Sequence, residues 1–174
     1  ADVLFLPSGH LNIPAGIRTL SNGLFREEAE KALEANGYHS GFYFTPNVRN
    51  DSLYAMKDAK SPQSSSTFQG LTNAVSLFIE IRGIGLGRAC FARRAESGFL
   101  VSRSLLETAA LHSKEVRSEI RKAVKETCSR KSDISITFQS ARTELPVTFI
   151  DLAKNERFTE PLPTFDALQL KAEL

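Results

Sequence analysis

Residues 75–87 run Val75-Ser76-Leu77-Phe78-Ile79-Glu80-Ile81-Arg82-Gly83-Ile84-Gly85-Leu86-Gly87. Their first part alternates. Val75, Leu77, Ile79 and Ile81 fall to one side, and Ser76, Phe78, Glu80 and Arg82 to the other, which predicts a strand over 75–81. Glu80 therefore lies near the C-terminal end of an otherwise apolar strand, and in open α/β sheets ligands bind beyond those ends. Gly83, Gly85 and Gly87 then release the chain into a helix. They form a poor phosphate cradle, because a dinucleotide fingerprint needs glycine at 83, 85 and 88 and position 88 is Arg. A tight turn fits better.

Upstream, Val3-Leu4-Phe5-Leu6 is a continuous apolar run closed by Pro7-Ser8-Gly9. Such runs suit a strand buried on both faces, as in a parallel sheet. Pro14 stands where a helix can begin. Ile17, Leu20, Leu24, Phe25, Ala29, Ala32 and Leu33 follow at helical spacing, and Asn36-Gly37 supplies a left-handed stop. Phe42-Tyr43-Phe44-Thr45 is the next strand. Residues 46–68, rich in Pro, Asn and Ser, read as one long loop. The order strand, helix, strand is that of an α/β layered fold.

Downstream, from Arg88 to Arg130, there is no Pro and the single glycine is Gly98. Phe91, Ala95, Phe99, Ser102 and Leu106 form one helical stripe. After a break near His112-Ser113, Val116, Ile120, Ala123 and Val124 form another. Past Lys131 the pattern alternates again, at Ile134, Ile136 and Phe138 and then at Val147 and Phe149, which predicts a strand-rich appendage. The expected domains are thus 1–131, a layered α/β domain, and 132–174, a β-rich appendage.

Composition bounds the function classes. The chain has 174 residues, 41% hydrophobic and 24% charged, as in an ordinary globular protein. No run of 18 apolar residues offers a membrane span. The first residues, Ala1-Asp2-Val3-Leu4, have neither the basic nor the long apolar region of a signal peptide and no initiator Met, so we expect a fragment or processed product. Cys90 and Cys128 cannot make a disulfide scaffold and read as buried or idle thiols. The net charge of +2 hides an asymmetry: residues 82–131 hold 12 Lys and Arg against 5 Asp and Glu. Such a segment either binds phosphates or is a solvated helix face, and it lacks the interleaved aromatics of a nucleic-acid platform.

Glu80 is the leading candidate for chemistry. A carboxylate among apolar neighbours is costly unless paired, and burial raises its pKa towards the range of a general acid or base. The alternative is a structural ion pair with Arg82, which alternation puts on the same face. His112-Ser113-Lys114-Glu115 matches a His-x-x-Glu spacing, but it has no third ligand in view and lies in basic surroundings. His10 follows Ser8-Gly9 at a strand end and reads as a hydrogen-bonded loop histidine; His39 sits in a polar turn. Ser8 lacks a nucleophile elbow.

The segment Gly70–Arg88, continued by Phe91-Ala92-Arg93-Arg94, resembles the C-terminal part of the bacterial zinc carboxypeptidases, the carboxypeptidase A-like metallopeptidases. Leu11-Asn12-Ile13-Pro14 and Gly41–Thr45 upstream, and Phe149-Ile150-Asp151-Leu152-Ala153 downstream, resemble related text and a C-terminal β extension in the same group. Residues 70–94 carry the specific part of the likeness. The resemblance implies a three-layer α/β/α, mostly parallel sheet, here incomplete. It implies a peptide hydrolase using one zinc ion on peptide or protein substrates, often exported from the cell. It maps the family's general base onto Glu80. Arg82 is then a partner for a substrate carboxylate, and Tyr54 a stand-in for the family's substrate-capping tyrosine.

The departures are as informative. The family's zinc ligands, His-x-x-Glu and a later His, precede its general base, and nothing before Glu80 reads His-x-x-Glu. The chain thus looks like the half that carries the base and not the metal: zinc would belong to the complete protein and none to these residues, and the chain alone would be inactive. The alternative is a non-catalytic peptide- or protein-binding domain on the same fold. Neither nucleic acid nor membrane is expected as a partner. A missing N-terminal half, or self-association, should cover surface left open here, with Val3–Leu6 the expected place.

Overall fold

The computed structural model describes the chain except for residues 50–51, 57–60, 84–86, 132–133, 135–137, 152 and 170–174. The chain forms two compact units, one of Ala1–Tyr43 with Ala59–Ser132, the other of Phe44–Asp58 with Asp133–Leu174. It is an α/β protein with a β-rich C-terminal part, as the sequence leads one to expect.

In the first unit β1 (Val3–Pro7) is the central strand, flanked by β2 (Ser40–Phe42) and a further strand, Leu77–Ile81, which is β5 in chain order. The β1–β2 pair is parallel, with Val3 opposite Ser40. The β1–β5 pair is antiparallel, with Leu4 opposite Glu80 and Pro7 opposite Leu77. The sheet is therefore mixed rather than mostly parallel. A continuous apolar run reports burial on both faces, and a central strand meets that condition whichever way its neighbours run.

Three consecutive segments form the first helical stretch: α1 (Ala15–Thr19), a π-helical turn (Leu20–Phe25) and α2 (Arg26–Glu34). The wide turn brings Ser21 inward, where its hydroxyl donates to the Ser76 carbonyl. Pro14 directly precedes α1. The stretch ends as expected: Gly37 takes φ +75°, the Tyr38 amide donates back to the Leu33 carbonyl, and the Gly37 amide to that of Glu34. Ala29 and Leu33 of α2 and Val101 of α4 (Phe91–Leu111) pack on Val3 and Phe5, with Leu77 and Ile79 beside them. A second core joins Ile13, Ile17, Leu71 of α3 (Ser65–Leu71), Val75, and Ile120 and Ala123 of α5 (Ser113–Cys128). Gly70 lets α3 settle onto Ile13; a Cβ there would lie 2.5 Å from the Ile13 Cδ1.

Several expectations change here. The segment 46–68 is not one loop: it holds the hairpin β3 (Thr45–Arg49) and β4 (Ser52–Met56), and α3 begins inside it. β2 ends at Phe42, and Thr45 belongs to β3. The helix 91–111 has the expected bounds but turns the other way. Ser97, Val101, Ser104 and Thr108 are buried, whereas Phe91, Phe99 and Leu106 are 67%, 63% and 73% exposed. Small side chains on the inner line let the backbone approach the sheet, as at Gly98, where a Cβ would lie 2.8 Å from the Ile81 Cδ1. Val3–Leu6 is not an open surface: Val3 and Phe5 are fully buried, Leu6 nearly so, and both edges of β1 are paired. Among the described residues α4 carries four exposed apolar side chains, Phe91, Phe99, Leu106 and Leu111. Both cysteines are exposed and unbridged.

In the second unit β6 (Phe138–Asp151) and β7 (Glu156–Gln169) form a long antiparallel hairpin. Asp151 accepts from the amides of Ala153 and Lys154, and Asn155 takes φ +55°, which closes the turn. Val147 and Leu162 share a core with Ala55 of β4, joined by Phe44, Leu145 and Phe149. The strands β3 and β4 therefore belong with the appendage. Ile134 is exposed, and Ile136 lies outside the described residues. No described helix is long and apolar enough to cross a membrane.

Candidate functional site at the end of the β5 strand

Glu80 is the penultimate residue of β5, at its C-terminal end, as the alternation predicts. Its face of the sheet also carries Phe78, against which Tyr43 packs edge-on at 5.4 Å. Glu80 itself is exposed, so the apolar surroundings expected for it are not supplied by the described residues. Among those residues no ion pair joins it to Arg82, which is exposed and whose amide donates to the Asp2 carbonyl at 2.9 Å.

Two arginines of α4 hold the surrounding backbone. Arg93 grips Asp2 with two bonds, Nε to Oδ1 at 2.6 Å and Nη2 to Oδ2 at 2.8 Å. A second bond from the same Nη2 reaches the Gly37 carbonyl, and the guanidinium lies 4.4 Å from the Tyr38 ring centre. Asp2 also accepts from the His39 amide. The Arg93 bonds hold the Asp2 carboxyl at about 2, below its ordinary 3.8, against the opposing effect of burial. Tyr38 donates to Glu96 at 2.5 Å, which raises the tyrosine's pKa. This network ties the start of β1, the end of β5, the α2–β2 turn and the first turns of α4 to one another.

Arg94 spans the glycine turn. It donates to the Gly83 carbonyl at 2.9 Å and to that of Gly87 at 2.6 Å. Gly87 takes φ +56°, a conformation that favours glycine. Ile84, Gly85 and Leu86 lie outside the described residues. The roles of Asp2, Arg93 and Arg94 are not evident from spacing. The one signal is a pair of arginines in the first turn of α4, where the helix dipole disfavours cations and a specific partner is needed.

The antiparallel register separates Ser8 and His10 from Glu80. Ser8 and His10 follow the C-terminal end of β1, which adjoins Leu77 rather than Glu80. There Ser8 donates to Thr67 at 3.3 Å, and the buried His10 accepts the Asn12 amide at Nδ1. Burial pushes the His10 pKa below its ordinary 6.5. A cavity of about 460 Å³ opens beside Ser8, lined by Arg18 and Asn22 among others. Tyr54 lies in β4, opposite Asn47, in the second unit. His112 stands between α4 and α5, with Nδ1 3.1 Å from Glu115. Among the described residues no three His, Cys, Asp or Glu side chains converge as a metal site.

The chain is 32% identical over 166 residues to a probable carboxypeptidase 2 of Arthroderma benhamiae, covering 93% of this chain and 31% of that protein. Its sequence is similar to those of proteins named carboxypeptidase 2. Carboxypeptidase 2 of Trichophyton rubrum is 30% identical over 163 residues, with 93% of this chain and 30% of that protein covered. The relatives reported are fungal, and the chain spans about a third of their length. No family model matches the chain, and no solved structure matches it significantly.

Proposed function

We propose that this chain is part of a zinc metallocarboxypeptidase, a hydrolase of C-terminal peptide bonds, with Glu80 as its general base. One observation carries this reading: similarity along almost the whole chain to proteins named carboxypeptidase 2. The geometry at Glu80 supports it. Glu80 stands at a strand end whose following backbone is held by Arg93 through Asp2 and by Arg94 at the glycine turn, and its carboxylate is open to a substrate. It would take a proton from an attacking water and return it to the leaving amine as the C–N bond breaks. Arg82, exposed beside it, would meet the substrate's terminal carboxylate.

The described residues do not fit a zinc site: no cluster forms, and the Nδ1 of His10 is occupied by the Asn12 amide. Zinc ligands and the cover of the exposed α4 face would come from polypeptide outside these residues, and the chain alone would be inactive. The rival reading, a non-catalytic peptide- or protein-binding domain, draws on the same exposed Glu80 and the same lack of a ligand cluster.

The test is Glu80→Gln in the full-length protein, assayed on a blocked dipeptide, with zinc content measured in parallel. A fall in kcat of about 10²–10⁴-fold at unchanged zinc content supports the base role. Full activity in the variant refutes that role, and a full-length protein with neither zinc nor activity favours the binding domain.

A further inference from the structure

Helix α5 turns Ile120 and Ala123 into the core. Its opposite side carries Lys114, Arg117, Arg121 and Lys125, all exposed, at steps of three, four and four residues. That spacing makes one stripe about 16 Å long. With Ser118 and Lys122 they line a shallow groove of about 490 Å³. Lys122 is taken up by Glu119, but among the described residues none of the other four cations meets a carboxylate. Aligned like charges repel along a helix, so this face is electrostatically unsatisfied within its own unit.

We propose that the stripe docks an acidic segment of polypeptide in extended form. An extended chain presents alternate side chains on one side about 6.7 Å apart, so three carboxylates span about 13 Å, within the length of the stripe. Lys and Arg stems are long enough to absorb the difference in spacing. Nucleic acid fits less well. No aromatic residue lies on α5 to stack a base. A lipid surface also fits less well, because an interfacial helix inserts its apolar side and that side of α5 is in the core. The inference is independent of the catalytic reading, since it concerns binding by the 174-residue chain.

The test is fluorescence anisotropy on the whole chain. The probes are a labelled octapeptide of alternating Glu and Ala, its Gln-Ala counterpart and a single-stranded oligodeoxynucleotide of equal charge; phosphatidylserine vesicles are tested by co-sedimentation. The acidic peptide is expected to bind at about 20 mM salt and to be released at about 300 mM. Arg117→Glu with Arg121→Glu should weaken it about tenfold or more, with the far-UV spectrum unchanged. Lys114→Glu with Lys125→Glu should act alike. The proposal is overturned if no acidic peptide binds, if the Gln peptide binds equally, or if folded charge-reversed chains retain full affinity. Tighter binding to the oligonucleotide or the vesicles than to the acidic peptide overturns it as well.

Discussion

Replacing Asp2 with Asn keeps the shape of the side chain and removes its charge. In the folded chain Asp2 is 6% exposed and its carboxyl titrates at about 2 instead of 3.8, because Arg93 holds it with two bonds. At about 1.36 kcal/mol per pKa unit, that difference corresponds to at most about 2.4 kcal/mol. The guanidinium is 43% exposed, and water screens part of the interaction, so about 1–2 kcal/mol is the expected loss. The folded pKa is depressed, so this contribution is full above about pH 4 and vanishes as pH falls through about 2. Urea melts of the native chain and Asp2→Asn at neutral pH should differ by about 1–2 kcal/mol, and the gap should close on acidification over that window. A gap of the same size at neutral pH and at the acid end would refute the electrostatic origin. No gap at neutral pH would refute the clamp itself.

Gly70→Ala should destabilise by about 1–3 kcal/mol in thermal or urea melts, because the new methyl overlaps the buried Ile13 side chain. Phe99→Ala should change stability by less than about 1 kcal/mol, while Val101→Ala, two residues on, should cost about 2 kcal/mol. The reverse order would mean that α4 is turned as its apolar stripe suggests. The folded His10 has a pKa below 6.5, so the fold disfavours its protonation. Stability should therefore hold above neutrality and decline as pH falls below about 6.5, and His10→Gln should remove that part of the pH profile.

Much of the local structure was legible because it depends on neighbours in the chain. Phe91–Leu111 is a helix with its expected bounds, since no Pro and one Gly interrupt it. Gly37 ends α2 because a left-handed residue is needed there. Glu80 sits at the end of a strand because alternation fixes its place along β5. The α/β class and the strand-rich end of the chain follow from the same periodicities.

Tertiary structure decided what periodicity leaves open. The direction of β5 against β1 depends on where the chain returns to the sheet, and that placed Ser8 and His10 at the opposite end from Glu80. The hairpin 45–56, read as loop, is a pair of strands because it packs Ala55 on Val147 and Leu162, residues far along the chain. The side of α4 that packs on the core carries Val101 with Leu100 and Leu105 beside it, and the buried small residues Ser97, Ser104 and Thr108, while Phe99 and Leu106 are left exposed. The Asp2–Arg93 clamp joins residues 91 positions apart, and no local pattern announces it. Residue spacing governs which side chains share a face; which face is then buried, and beside which distant residue, is a property of packing.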